Sequence, residues 1–148
     1  MRHRACQDAI LDYKNEAIQI GCFLSINCPV VIPPDNEPEP DVAIIHGDRT
    51  QYSRRHPSPQ DLACLVEIAD SSINQDKTKK LALYATALIP HYVIVDLTED
   101  QIISYTDPDV KTATYRGRDV LRGDDVLQVV GKTGTLMSVK VSTLFSPR

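Results

Sequence analysis

The segment Leu62–Ala69 (LACLVEIA) constrains the fold more than any other part of the chain. It is apolar on both faces, too short for a membrane span and bounded by polar, turn-forming residues. That pattern belongs to a central strand of a sheet covered on both sides. Side chains alternate along a strand, so Leu65, Glu67 and Ala69 face one way, and Val66 and Ile68 the other. Glu67 is the exception in the run. A buried, uncompensated charge costs several kcal/mol, so this carboxylate must be paired, protonated or bound to a cation. A lysine partner at the strand's end is the structural solution, and a metal or catalytic site is the functional one.

The flanking sequence supplies the rest of an α/β domain. Residues 3–20 place Ala5, Ala9, Ile10, Tyr13, Ala17, Ile18 and Ile20 near helical spacing, which predicts one amphipathic helix stopping near Gly21. A strand is predicted over Cys22–Val31, and the prolines of PPDNEPEP hold a short, stiff, extended connector. Asp41–Ile45 reads as a strand and GDRTQYSRRHPSPQD as a polar loop. DSSINQD carries helix-start residues, a helix follows over Lys77–Leu88, and Pro90 closes it. Tyr92–Leu97 is a second buried strand, and LTEDQ forms a hairpin turn into Ile102–Tyr105. Short β-like stretches follow at Val126–Val130 and Leu136–Val141. Strand, helix, strand across Glu67 fits a βαβ unit. The expected architecture is a mixed central sheet flanked by helices with a β-rich C-terminal part, in one domain spanning all 148 residues.

Composition narrows the function classes. No apolar run approaches the roughly 20 residues that span a bilayer, and the N-terminus is too polar for a signal peptide; the expected location is cytoplasmic. Cys6, Cys22, Cys28 and Cys64 form no CxxC pair and no zinc-like spacing with the four histidines. They read as free thiols of a reducing compartment. A net charge of -4 gives no general support for nucleic-acid binding. Basic residues cluster only locally: Arg49, Arg54 and Arg55 in one loop, Lys77, Lys79 and Lys80 in one helix, and Arg116, Arg118 and Arg122 near the C-terminus. Such clusters are more often solvated faces than phosphate sites.

Two further residues join Glu67. Asp41 opens a neighbouring strand directly after Pro40. Carboxylates on adjacent strands repel unless a divalent cation lies between them, and Mg²⁺ prefers one or two carboxylates together with water and phosphate oxygens. Taken alone, an Asp at a strand start is usually a cap. Lys80 lies one turn from both Asp76 and Tyr84 on the helix after the Glu67 strand. From there it can orient an attacking water or neutralise charge on a phosphoryl group; a surface lysine paired with Asp76 is the plainer alternative.

PEPDVAII followed by LVEIADSSINQDKTKKLALYATALIPHYVIVDL resembles the Uma-type restriction endonuclease family, a branch of the PD-(D/E)XK nuclease superfamily. The family pattern falls on Pro38 to Asp41, Val66 to Ile68, Asp76, Lys80, Tyr84, Ala85, Pro90, Tyr92 and Asp96, within residues 38–97. The resemblance implies that Asp41 and Glu67 are metal ligands, with the Ile68 backbone carbonyl as a third. The superfamily lysine two residues after the glutamate is Ala69 here, so the resemblance assigns its role to Lys80. The family's segment ahead of the first helix has no counterpart, which implies a shortened N-terminus; His3 falls near a position where the family often has histidine.

The leading expectation is therefore a Mg²⁺-dependent endonuclease hydrolysing DNA phosphodiester bonds, with Mn²⁺ as substitute ion, catalytic residues Asp41, Glu67 and Lys80, and a homodimer by analogy with enzymes that cut two strands. The alternative is a catalytically inactive binding or scaffold protein on the same fold.

Overall fold

The computed structural model describes residues 2–70 and 76–145, with Asp76 and Lys77 described by backbone alone. Strand β3 (Leu62–Ala69) has the predicted bounds, and all eight of its residues are buried. It sits inside a six-stranded sheet of order β1-β2-β3-β4-β5-β6. The other strands are β1 (Cys22–Ile26), β2 (Val42–His46), β4 (His91–Asp96), β5 (Gln101–Asp109) and β6 (Thr114–Leu121). Only β3 and β4 pair in parallel, Leu65 opposite Tyr92 through Ala69 opposite Asp96; the remaining neighbours are antiparallel. Parallel neighbours need a crossover, which here includes a π-helical turn (Asp76–Lys80) and a short helix (Leu81–Thr86). The mixed α/β expectation is met.

Alternation along β3 splits the core into two layers. Cys64, Val66 and Ile68 face a layer formed by Cys6 and Ile10 of helix α1 (Arg2–Leu11), Ala17 of helix α2 (Lys14–Gln19), and a separate hairpin of β7 (Val126–Val130) and β8 (Leu136–Lys140). Leu65 and Ala69 face the opposite layer, where Tyr84 and Ala85 of helix α3 (Leu81–Thr86) pack with Tyr92, Tyr105 and Tyr115. The four cysteines are unpaired, and all but Cys28 are buried.

Several boundaries differ from those expected. The single N-terminal helix is two, because Asp12 and Tyr13 form a turn that sends the Tyr13 hydroxyl to Thr143 and the Lys140 amide. Cys6 and Ile10 are therefore buried, whereas Ile18 is exposed. The strand predicted to reach Val31 stops at Ile26, where Asn27 takes the left-handed conformation (φ 50°). The proline-rich connector is not extended: Ile32 bridges back to Asn36. Most of the helix-start segment DSSINQD lies outside the described residues, and Asp76–Lys80 winds as a π turn rather than an α-helix. Strand β6 was not expected at all. Its sequence, TYRGRDVL, is largely polar, as befits an edge strand with one wet face. A Cβ at Gly117 within it would press on the Thr106 hydroxyl, which would have to rotate away.

One buried polar pair bears on stability. His91 Nε2 lies 2.8 Å from Ser104 Oγ, and burial pushes the imidazole pKa down to about 4. A histidine depressed on folding contributes stability above its unfolded value of about 6.5, and that stability is lost as pH falls through the folded value. Wild-type protein should lose up to roughly 3 kcal/mol from this group between pH 7 and pH 4. Denaturant titrations at the two pH values should show a smaller loss in His91→Gln; an equal loss in both proteins would refute this role.

Candidate functional site

The site follows from strand register. Strands β2 and β3 are antiparallel, with Val42 opposite Val66. The residue before β2, Asp41, therefore falls across from Glu67. Asp41 stands just outside the ladder, and its Oδ2 accepts the Ile68 amide N–H at 2.7 Å. A side-chain oxygen thus takes the place of a backbone acceptor and holds the carboxylate at the strand end. Helix α1 completes its surroundings. Gln7, 5% exposed on the helix's inner face, donates its amide to the Asp41 carbonyl at 2.9 Å, and His3 Nε2 lies 3.3 Å from Asp41 Oδ1.

Glu67 is held from the opposite layer. Its residue exposure is 3%. The Tyr84 hydroxyl donates to Oε2 at 2.9 Å, and Lys80 Nζ lies 3.2 Å from the same oxygen. Lys80 ends the π turn and Tyr84 lies in α3, so successive turns of one crossover bring both groups over the β3 carboxylate. Burial raises the Glu67 pKa, the Lys80 ammonium and the Tyr84 hydrogen bond oppose that shift, and the Asp41 charge reinforces it, leaving the carboxyl at about 7. Glu67 therefore exchanges its proton near neutrality and responds to any nearby cation.

Of the three side chains singled out by sequence, Lys80 meets Glu67 directly, while Asp41 lies across the strand pair from Glu67 and is bonded to the Ile68 amide. Lys80 pairs with Glu67, while the side chain of Asp76 lies outside the described residues. Ile68 enters through its amide, as the donor to Asp41. Neither the Tyr84 hydroxyl nor Gln7 is assigned a role by sequence reasoning. Tyr84 reads as a core aromatic, and an amide in a short helix reads as a wet residue. The available signal was spacing: His3, Gln7 and Ile10 fall on one helical stripe. Among the described residues, no three His, Cys, Asp or Glu side chains form a metal cluster. Two carboxylates with backbone and water oxygens nevertheless match the sparse protein donor set that suits Mg²⁺.

Comparison with known proteins agrees with this fold. A family model described as "Uma2: Putative restriction endonuclease" matches residues 2–135. A solved structure from Anabaena variabilis, titled as a putative nuclease belonging to DUF820, superposes with a TM-score of 0.71 at 16% sequence identity. The match covers 98% of this chain and 80% of that one, and at such identity it is a likeness of fold. No curated protein matches the chain. With nearly its whole length matched by the family model, the chain belongs to the Uma2 family.

Proposed function

We propose that the chain is a divalent-metal-dependent endonuclease that hydrolyses DNA phosphodiester bonds, acting as one domain over residues 1–148. The observation that carries this is a Glu67 carboxyl buried at the end of a central strand, across the strand pair from Asp41 and capped by Lys80 and Tyr84. Family membership and the nuclease-titled neighbour support it. Asp41, Glu67 and the Ile68 carbonyl would hold Mg²⁺, with Mn²⁺ as substitute; such an ion supplies Lewis acidity at the phosphate and eases deprotonation of the attacking water. Lys80 orients that water and stabilises charge developing on the phosphoryl oxygens. Tyr84 fixes the rotamer of Glu67, and Gln7 fixes the backbone that aims Asp41. Cutting both strands of a duplex would call on a homodimer. Four free thiols support a reducing, cytoplasmic setting.

A second reading rests on the Lys80–Glu67 pair itself. The buried charge already has a protein partner, so the same geometry would serve an inactive binding or scaffold protein. Calorimetric titration with Mg²⁺ and Mn²⁺ separates the two. The endonuclease reading expects wild-type binding that Asp41→Asn abolishes, together with metal-dependent cleavage of plasmid or oligonucleotide DNA. Lys80→Ala should keep metal binding while cleavage falls by about 10²-fold, the scale of losing one charge-stabilising donor. Wild-type protein that neither binds metal nor cuts DNA would leave the scaffold.

Glu67 also sets a pH dependence. Its folded pKa of about 7 lies above the ordinary value of 4.5, so its contribution to stability is complete below 4.5 and is lost as pH rises through 7. Neutralising the group removes that loss. The stability of Glu67→Gln relative to wild type, in EDTA, should therefore increase from pH 5 to pH 8.5 by roughly 3 kcal/mol at most. Over the same range metal affinity of the wild type should increase, because binding requires the ionised carboxylate. A mutant-minus-wild-type stability difference independent of pH would mean that Glu67 is not the buried proton-exchanging group.

A further inference from the structure

The loop after β2 carries a feature that the carboxylate site does not use. Arg49 and Arg55 each lie over an aromatic ring, with the Arg49 guanidinium carbon 5.1 Å from the Phe23 centroid and that of Arg55 4.9 Å from Tyr52. The rings themselves are 5.8 Å apart, and the Tyr52 hydroxyl is anchored to the His46 carbonyl at 2.7 Å. The two arginines, the two rings, Ser25 and His56 line an open cleft of about 140 Å³.

Arg49 is held in place without being neutralised. It donates to the Leu24 carbonyl at 2.7 Å, and its backbone sits in a turn capped by Asp48 and Gln51. Ordering a long side chain at the surface costs entropy, which stacking and the carbonyl bond offset. Among the described residues, Arg2, Arg4, Arg55 and Arg116 have a carboxylate within ion-pair distance, whereas Arg49, Arg54, Arg118 and Arg122 do not; of these four, Arg49 is the one set over an aromatic ring. The remaining guanidinium donors border the cleft. A fixed, unneutralised fork of N–H groups beside aromatic faces suits a phosphate oxygen and a neighbouring base.

Strand register ties this cleft to the carboxylates. Phe23 packs in the same core layer as Leu65 and Ala69, the face that bears Glu67. Ser25 pairs with Ala43, which pairs with Leu65. The next row on that face is Asn27, bonded to Asp41, and then Glu67. Two residues of strand span about 7 Å, so Phe23 lies two rows, about 14 Å, from the carboxylate row. Glu67 lies two strands to the side of Phe23, about a further 10 Å, a separation that a few nucleotides of backbone span.

We infer that this cleft is a phosphodiester-backbone subsite, in which Arg49 holds a phosphate of the same nucleic-acid strand a few nucleotides from the bond cut at Glu67. It rests on the endonuclease reading, and binding measured without metal separates the two.

Fluorescence anisotropy with labelled single-stranded and duplex DNA oligonucleotides, in EDTA, is the test. Wild-type protein should bind with salt-dependent affinity. Arg49→Ala should bind about tenfold more weakly, with the slope of log affinity against log salt reduced by about one. Arg49→Lys should fall between, keeping the charge while losing the stacked fork, and Arg116→Ala should match wild type. Thermal unfolding must show all variants folded, and Arg49→Lys remains informative where Arg49→Ala is not. In Mn²⁺, Arg49→Ala should raise KM for cleavage and leave kcat nearly unchanged. Wild-type binding unaffected by both Arg49 substitutions would overturn the subsite and leave the endonuclease standing. Binding that depends on Arg49 without any cleavage would sustain the subsite and count against the endonuclease. Absence of any DNA binding by the wild type would overturn the subsite outright.

Discussion

The carboxyl group of Glu67 inside a doubly covered strand is the constraint on which the rest of the site depends. A charge there cannot be left to solvent, because every residue of β3 is buried. The fold answers with two donors from one crossover: the Lys80 ammonium, a third exposed, and the buried Tyr84 hydroxyl. Neither fully offsets the lost hydration, so the group settles near neutrality instead of at an ordinary carboxylate value. A tighter ion pair would lock the proton off and compete with a metal. A drier pocket would lock it on. The intermediate arrangement leaves the carboxyl responsive.

The two layers of the protein divide the work of building this point. Glu67 is held from the layer of α3, through Lys80 and Tyr84. Asp41 is held from the other layer, where α1 supplies Gln7 to its carbonyl and His3 to its carboxylate. The carboxylates themselves belong to adjacent strands whose register is set by backbone pairing. The distance between them is therefore governed by the sheet, and each layer tunes only one partner. The bond from the Ile68 amide to Asp41 joins the two halves, since Ile68 is buried in the α1 layer while Glu67 faces the opposite one.

Legibility in the sequence followed the strength of the physical signal. LACLVEIA could be read with its bounds intact because burial on both faces leaves no competing pattern. The β6 strand could not, because an edge strand with a wet face carries little hydrophobic alternation. The break at Asp12 and Tyr13 was hidden because Tyr13 continues the apolar spacing, while its hydroxyl bonds to residues near the far end of the chain. Asp41, Glu67 and Lys80 stood out as charges in conspicuous places or as parts of a family pattern. Gln7 and Tyr84 did not, since an amide and an aromatic are unremarkable until their partners are known. Arg49 was visible only as one of three arginines in a polar loop; what distinguishes it is Phe23 beneath it, 26 residues earlier in the chain.

That distinction matters for a chain of net charge -4. A net negative charge gives no overall attraction for a polyanion, and exposed charges farther apart than about 8–10 Å are largely screened at physiological salt. In the proposed subsite, affinity for nucleic acid would come from a few cations already in place. Lys80 is committed to Glu67 and Arg55 to Asp61, so both present a partly cancelled charge. Arg49 is restrained by a ring and a carbonyl, neither of which carries a formal charge. Its field is left whole while its freedom is reduced, the combination that makes one cation count in an acidic protein.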